Sequence, residues 1–184
     1  MFDITGKIET LRTARGYGKV YCAASTIQLI ENNNLPNGNL FDVARSAALL
    51  AAKNTPQLLP YCHLIIIDAM DINFEYQIEN EQASKRGSIS VHANAKSIGR
   101  TGIEMGVLTA ISVASLTIYD LLKPVDKQLE ITNIRLLEKT GGKSDRQYVR
   151  LAPSCAVLVC SDSAAAGKRE DRSGKVITAM LEEV

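Results

Sequence analysis

The sequence of 184 residues contains no tryptophan, only three phenylalanines and six tyrosines. Proteins that bind single-stranded nucleic acid commonly stack bases on aromatic rings, so this shortage argues against that class. An excess of charge of one sign is also absent, because 21 lysines and arginines face 20 aspartates and glutamates. We therefore predict no nucleic-acid or membrane partner, and any polyanionic ligand must meet a local group of cations.

Cysteine pairs at metal-binding spacing are missing as well. The four cysteines are Cys22, Cys62, Cys155 and Cys160, and no two of them have the CxxC spacing. No metal site is therefore expected. The chain shows no apolar leader with a small-residue cleavage site, which together with free thiols predicts a reducing, cytoplasmic location.

Hydrophobic periodicity predicts the elements of the first part of the chain. The first twenty residues are polar and carry a basic cluster, Arg12, Arg15 and Lys19, and no strand is predicted there. Ser25 is predicted to cap a short helix, and a second helix follows from about residue 39. Alternating apolar and polar residues over 70–79 and 88–96 predict an antiparallel hairpin.

A long apolar stretch covers residues 102–123. Because serine, threonine and glutamate dilute its hydrophobicity, it predicts a central, nearly buried helix and not a membrane span. A further strand is predicted over 129–138. The order of elements is typical of an α+β domain, with an antiparallel sheet and helices on one of its faces.

The composition changes at Pro153. Residues 155–160 are continuously apolar, as in a strand buried on both faces, and Ser173 is predicted to cap a helix that runs to residue 184. One strand and one helix cannot bury a core of their own. We therefore predict two domains, 1–152 and 153–184, the second holding only the start of an α/β domain.

A glycine-rich segment, Thr140-Gly-Gly-Lys-Ser144, has the last residues of a phosphate-binding P-loop. The motif fails because Leu137 stands where its first glycine is required. Two interpretations remain: a glycine turn with solvated lysines, or a close approach of the backbone to an anion, with Lys139 and Lys143 nearby.

Other polar residues also have a structural and a functional interpretation. Asp120 and Lys123 lie on one face near the end of a helix. They form either an exposed ion pair or an acid/base couple in which burial lowers the pKa of the lysine. His63 is either a satisfied buried imidazole or a catalytic group. Lys53, at the end of an alanine-rich helix, is either solvated or an anion ligand.

Six short motifs follow one another over about residues 1–150. They are ETLRTAR at 9–15, AR at 44–45 with AAK at 51–53, LPYCH at 59–63, RTGIEM at 100–105, LTIYD at 116–120 with Lys123, and RLLEKTGGKS at 135–144. In this order they resemble the cyclic pyranopterin monophosphate synthase family, MoaC, of molybdenum cofactor biosynthesis. Residues 156–174 resemble, less specifically, the start of a MoaB/MogA-like molybdopterin adenylyltransferase domain, as in bifunctional fusions.

The resemblance implies a ferredoxin-like α+β fold and a hexamer, a trimer of dimers, with active sites at subunit interfaces. It implies a lyase that converts a cyclised dihydroguanosine triphosphate to cyclic pyranopterin monophosphate and releases pyrophosphate. No cofactor is implied, except a Mg²⁺ ion carried by the triphosphate. Asp120 and Lys123 would be the catalytic pair. The substrate-binding residues would be Lys53, His63, Glu104, Met105, Lys139, Lys143, Arg15 and Arg45.

Three positions depart from the family pattern. Gly106 replaces the second glutamate of a Gly-Val-Glu-Met-Glu motif, Leu64 follows the Cys-His pair in place of proline, and Arg100 replaces a lysine. Gly106 motivates an alternative hypothesis, in which the domain is a catalytically weak oligomeric scaffold for a fused partner domain.

Overall fold

The computed structural model describes residues 1–35, 38–81, 84–142 and 156–182. The chain divides into two units, Met1–Arg146 and Gln147–Val184. The predicted boundary between residues 152 and 153 lies outside the described residues and stays a prediction.

The first unit contains four strands and four helices in its described residues. In chain order they are β1 Thr10–Ala23, α1 Ala24–Glu31, α2 Leu40–Lys53, α3 Thr55–Leu58, β2 Ala69–Glu81, β3 Ser84–Gly99, α4 Glu104–Leu122 and β4 Glu130–Thr140. The strands form one antiparallel sheet in the order β2-β3-β1-β4. The α+β class and the predicted hairpin, now β2 and β3, are confirmed.

Strand β1 was not predicted, although it lies at the centre of the sheet. Its buried face carries an arginine and small residues: Arg12, Ala14, Gly16, Gly18, Val20 and Cys22. Two of these are glycines because α4 packs directly over them. A Cβ atom would lie 2.6 Å from Ile111 Cδ1 if added to Gly16, and 2.5 Å from Ile111 Cγ2 if added to Gly18. The contact with α4 therefore explains why the apolar alternation is weak in this strand.

The basic cluster predicted in this segment is wrong, because alternate residues of a strand point to opposite faces. Arg12 is 8% exposed on the helix-covered face. On the open face, Arg15 pairs with Glu138 and Lys19 with Glu79. The three cations therefore do not form one patch.

Helix α4 is long and apolar enough to cross a membrane by length and composition alone. One of its faces packs on the sheet and on α2, and residues such as Val107, Ile111 and Ile118 are fully buried there. The prediction of a nearly buried helix is only partly right, because Leu116 is 58% and Tyr119 39% exposed on the other face.

The predicted cap of α1 is also wrong. The helix begins at Ala24, and the carboxylate of Asp126 accepts hydrogen bonds from Ala23 N and Thr26 Oγ1, both at 2.7 Å. Burial raises the pKa of Asp126, but the hydrogen bonds to its carboxylate outweigh burial and hold that pKa below its usual value. A distant carboxylate thus replaces Ser25 at the start of the helix.

The second unit contains α5 Asp162–Ala165 and α6 Arg172–Glu182 in its described residues. The strand predicted over 155–160 is not found at residues 156–160. A strand needs a partner for its backbone hydrogen bonds, and none lies in the described part of this unit. Helix α6 begins before Ser173, and Asp171 Oδ1 accepts a hydrogen bond from Gly174 N in its first turn.

Candidate active site

Predicted site residues meet at one end of the first unit, where α2 and β4 end and α4 begins. Lys139 lies opposite Ala14 in the sheet, so both side chains are on the face that the helices cover. There Lys139 Nζ lies 3.6 Å from Glu104 Oε1 in the first turn of α4. Two residues further along α4, Gly106 lies beside the carbonyl of Ala52, which precedes Lys53 at the end of α2.

The carboxylate of Glu104 is held between protein and solvent. Its side chain is 29% exposed. The atom Oε2 is buried and has no hydrogen-bond partner among the described residues. At 3.6 Å the ion pair with Lys139 is too long for a direct hydrogen bond, so both charged groups keep capacity to bind a ligand.

His63 lies at the same end, in the segment before β2. With Cys62, Ile67 and Gly106 it lines a narrow, mostly apolar cleft. The cleft lies between this segment, the end of α2, the start of α3 and the start of α4. Burial, and next the charge of Glu104, raise the pKa of the Cys62 thiol. Ile103 and Gly106 line the same cleft, so the Cys62-His63 segment lies close to the start of α4. Met105, 39% exposed, follows Glu104 on the helix.

Asp120 and Lys123 lie at the opposite end of α4. Asp120 is sixteen residues beyond Glu104, roughly 24 Å along the axis of an α-helix. Lys123 Nζ donates a hydrogen bond to Asp120 Oδ1 at 2.5 Å, and the two side chains are 58% and 68% exposed. Of the two interpretations, the exposed ion pair is the one found, and the lowered pKa of the other is wrong for this chain: the hydrogen bond and the charge of Asp120 raise the pKa of Lys123.

The two arginines predicted to assist with phosphates lie away from Glu104. Arg15 points to the open face of the sheet, opposite to α4, where it pairs with Glu138 at 3.4 Å. Arg45 donates hydrogen bonds to the carbonyl of Ile72 at 3.2 Å and to Asp42 at 2.8 Å. The described residues of this chain therefore do not bring these arginines to the Glu104–Lys139 pair.

One predicted residue, Lys143, lies outside the described residues. The sequence placed Arg12 in the basic cluster and in the ETLRTAR motif without a role of its own, but its side chain lies at the same end of the sheet as Glu104. The signal that could have singled it out is its position on the buried face of β1, in step with Ala14 and Val20. That signal was not visible because the strand itself was missed.

Comparison with known proteins gives the family. Residues 1–142 match the MoaC family. The chain belongs to the MoaC family. Its relatives include the cyclic pyranopterin monophosphate synthases of Thermoanaerobacter sp. and Desulforamulus reducens, 40% and 45% identical over 144 residues, or 78% of this chain. These matches cover 87% and 84% of the two relatives.

A longer match of this MoaC family chain extends past the first unit. The molybdenum cofactor biosynthesis bifunctional protein of Chlorobaculum tepidum is 42% identical over 177 residues, which are 96% of this chain and 54% of that protein. The chain thus spans about half the length of this relative.

Proposed function

We propose that this chain is a cyclic pyranopterin monophosphate synthase, a lyase of molybdenum cofactor biosynthesis. The observation that carries the proposal is the 40–45% identity to synthases over 144 residues, which are most of each relative's length. The alternative, a catalytically weak scaffold, is not favoured. Gly106 is its only motivation, and the matched region also contains Asp120, Lys123, Glu104 and Lys139.

The proposed substrate is a cyclised dihydroguanosine triphosphate. A hydroxyl of the substrate attacks the phosphorus nearest the sugar, the bond to the next phosphate breaks, and pyrophosphate leaves while a cyclic phosphate remains. Lys53, His63, Glu104, Met105 and Lys139 would bind this substrate at the start of α4. Lys139 beside Glu104, and Lys53 at the neighbouring end of α2, suit a ligand that carries several negative charges.

Asp120 and Lys123 would supply the acid/base chemistry. Because Asp120 raises the pKa of Lys123, the lysine is protonated at neutral pH. Lys123 is therefore the proton donor and Asp120 the acceptor at the start of the reaction. Lys143 is proposed to line the substrate pocket, and Arg15 and Arg45 are proposed to assist with the phosphates.

We propose that each active site is shared between two copies of the chain, within a hexamer built as a trimer of dimers. Glu104 and Asp120 are separated by roughly 24 Å along one rigid helix, farther than one small substrate reaches. A two-fold axis can bring the start of one α4 to the end of another. The solvent exposure of Asp120, Leu116 and Tyr119 supports a partner surface at that end.

Finer features of the fold belong to the same proposal. The strand order β4-β1-β3-β2, with helices between β1 and β2 and between β3 and β4, supports a ferredoxin-like fold. Residues 153–184 are proposed to be the start of a molybdopterin adenylyltransferase-like domain. Its support is the match to the bifunctional relative, which extends beyond the MoaC region.

We further propose a cytoplasmic enzyme without a resident cofactor, in which any Mg²⁺ ion arrives as part of the triphosphate substrate. Cys22, Cys62 and Cys160 are free thiols, which supports a reducing compartment.

The direct test is to incubate the purified chain with the cyclised nucleotide and to measure pyrophosphate. The proposal expects multiple turnovers by the wild-type chain and none by Asp120→Ala. An oligomeric wild-type chain that binds the nucleotide and releases no pyrophosphate would instead support the scaffold hypothesis.

A further inference from the structure

Arg12 is a buried cation held between the ends of two strands. Its side chain is on the helix-covered face of β1, and the residue is 8% exposed. Its Nε donates a hydrogen bond to the carbonyl of Gly99 at 3.2 Å, and its Nη1 donates to the carbonyl of Gly141 at 2.6 Å. A single guanidinium therefore joins the last residue of β3 to the first residue after β4.

The two segments that Arg12 joins lead directly to the candidate site. Gly99 is five residues before Glu104, and Gly141 is two residues after Lys139. On the opposite, open face of the sheet, the hydroxyls of Thr13 and Thr140 hydrogen bond at 2.6 Å and connect β1 to the end of β4. Arg12 and this threonine pair thus fix the backbone that carries Glu104 and Lys139, whose charges lie 3.6 Å apart.

The glycine turn after β4 is shaped around the arginine. Gly141 and Gly142 have φ values of 89° and 111°, in the region that favours glycine. A Cβ atom on Gly141 would collide with the carbonyl oxygen of Leu11, and one on Gly142 would collide with Nη1 of Arg12. The Gly-Gly pair therefore has a packing reason: it lets the chain turn closely around a buried guanidinium.

We propose that Arg12 is a positioning residue for the substrate-binding end of the active site. It acts through the backbone at Gly99 and Gly141, and so sets the position of Glu104 relative to Lys139. This inference rests on the proposed function, because it takes these two residues to be substrate contacts.

A lysine is a poor substitute at this position. The planar guanidinium donates from two nitrogens to carbonyls on separate segments, whereas an ammonium is a point charge on a flexible stem. Arg12→Lys should keep the buried charge but lose the two-segment link, and Arg12→Ala should lose both.

The test compares steady-state kinetics of wild type, Arg12→Lys and Arg12→Ala with the control Arg86→Ala. Arg86 is an arginine of the same sheet at its opposite end, paired there with Glu130. We expect kcat/KM to fall at least about tenfold in both Arg12 variants, mainly through a higher KM, because misplaced substrate contacts weaken binding. Millimolar guanidinium should restore part of the loss in Arg12→Ala and should have no such effect on Arg86→Ala.

Two results would overturn the inference: wild-type KM in the Arg12 variants, or a loss that resides in kcat alone. If Arg12→Ala does not fold, Arg12→Lys carries the same kinetic test. Amide hydrogen exchange gives a readout that does not depend on activity. Arg12→Lys should raise the amide exchange rates at 99–104 and 139–142 and leave those at the opposite end of β3 unchanged. Exchange rates that rise equally across the sheet, or that do not rise at all, would contradict the positioning role.

The same experiment separates failure of this inference from failure of the proposed function. A wild-type chain without turnover contradicts the function, whatever the exchange data show. Normal turnover in the wild type and in both Arg12 variants contradicts the inference alone.

Discussion

The two ends of α4 carry different parts of the candidate site in very different surroundings. At its start, Glu104 is 29% exposed, next to Lys139 and beside the cleft that Cys62 lines. At its end, Asp120 and Lys123 are 68% and 58% exposed and bind one another. The start of α4 is thus partly enclosed within a single chain, although Lys139 is itself 55% exposed, whereas Asp120 and Lys123 gain cover only when another surface packs against them. In the proposed shared site, a second copy of the chain would supply this cover for Asp120 and Lys123.

The largest expected effect is at the exposed end. Lys123→Ala should lower kcat by about a thousandfold, because the proposed proton donor is removed. The melting temperature should stay unchanged, since an exposed ion pair contributes little to stability. Pyrophosphate release and thermal denaturation measure the two effects. Lys127→Ala, four residues further along the chain, is the control and should retain activity; a large loss of stability in Lys123→Ala with normal turnover would make the pair structural.

The enclosed end can be disturbed through its packing on the sheet. Gly16→Ala should destabilise the fold by about 2 kcal/mol, because its Cβ would lie 2.6 Å from Ile111 Cδ1 and 2.8 Å from Val107 Cγ1. Gly106→Ala is the matched control: its Cβ would lie 3.5 Å from Ile67 Cδ1, an ordinary contact. It should stabilise α4 by up to about 1 kcal/mol. Denaturant unfolding of both variants measures the difference, and equal free energies of unfolding would contradict it.

A smaller effect, on the pH dependence of stability, distinguishes the covered ion pair Lys19–Glu79 from the exposed pair Asp120–Lys123. Lys19 and Glu79 pair at 2.8 Å with side chains 15% and 17% exposed. Hydrogen bonds from Lys19 and Ser88 lower the pKa of Glu79 from 4.5 to about 2. Its stabilisation is therefore present above about pH 4.5 and is lost as the pH falls toward 2. Glu79→Gln should cost about 1 kcal/mol at neutral pH and flatten the acid part of the stability curve.

The matched comparison for that prediction is Asp120→Asn, which removes the charge of the exposed pair. It should leave the pH dependence of the melting temperature close to that of wild type. A steeper loss with Asp120→Asn than with Glu79→Gln would reverse the assignment of covered and exposed pairs.

Local sequence patterns predicted most elements of the first unit but not its central strand. Apolar residues recur at every second position in the hairpin and form a long stretch in α4. Both elements were found, with boundaries shifted by a few residues. Strand β1 shows no clear apolar alternation because the residues under α4 must be small, as at Gly16 and Gly18. The predicted strand at 155–160 failed for the opposite reason: its apolar run is clear, but pairing depends on a neighbour that local sequence does not reveal.

The site was predictable in its residue types and less so in its arrangement. The motifs named Glu104 and Lys139, and their meeting at 3.6 Å follows from where β4 ends and α4 begins. The separation of Arg15 from Lys139 depends on which face of the sheet each one occupies, and this requires the register of β1 with β4. The role of Asp126 at the start of α1 joins residues about a hundred positions apart, a contact that no local pattern encodes.

The most direct measurement mixes two inactive variants, Glu104→Ala and Asp120→Ala, under conditions in which subunits exchange. If each site uses Glu104 from one copy and Asp120 from another, half of the dimers are mixed and one of their two sites is intact. Pyrophosphate release should then return to about a quarter of the wild-type rate. Either single variant alone should stay inactive. A mixture of either single variant with the double variant Glu104→Ala, Asp120→Ala should also stay inactive. No recovery in oligomers shown to contain both variants would contradict a site shared between the two ends of α4.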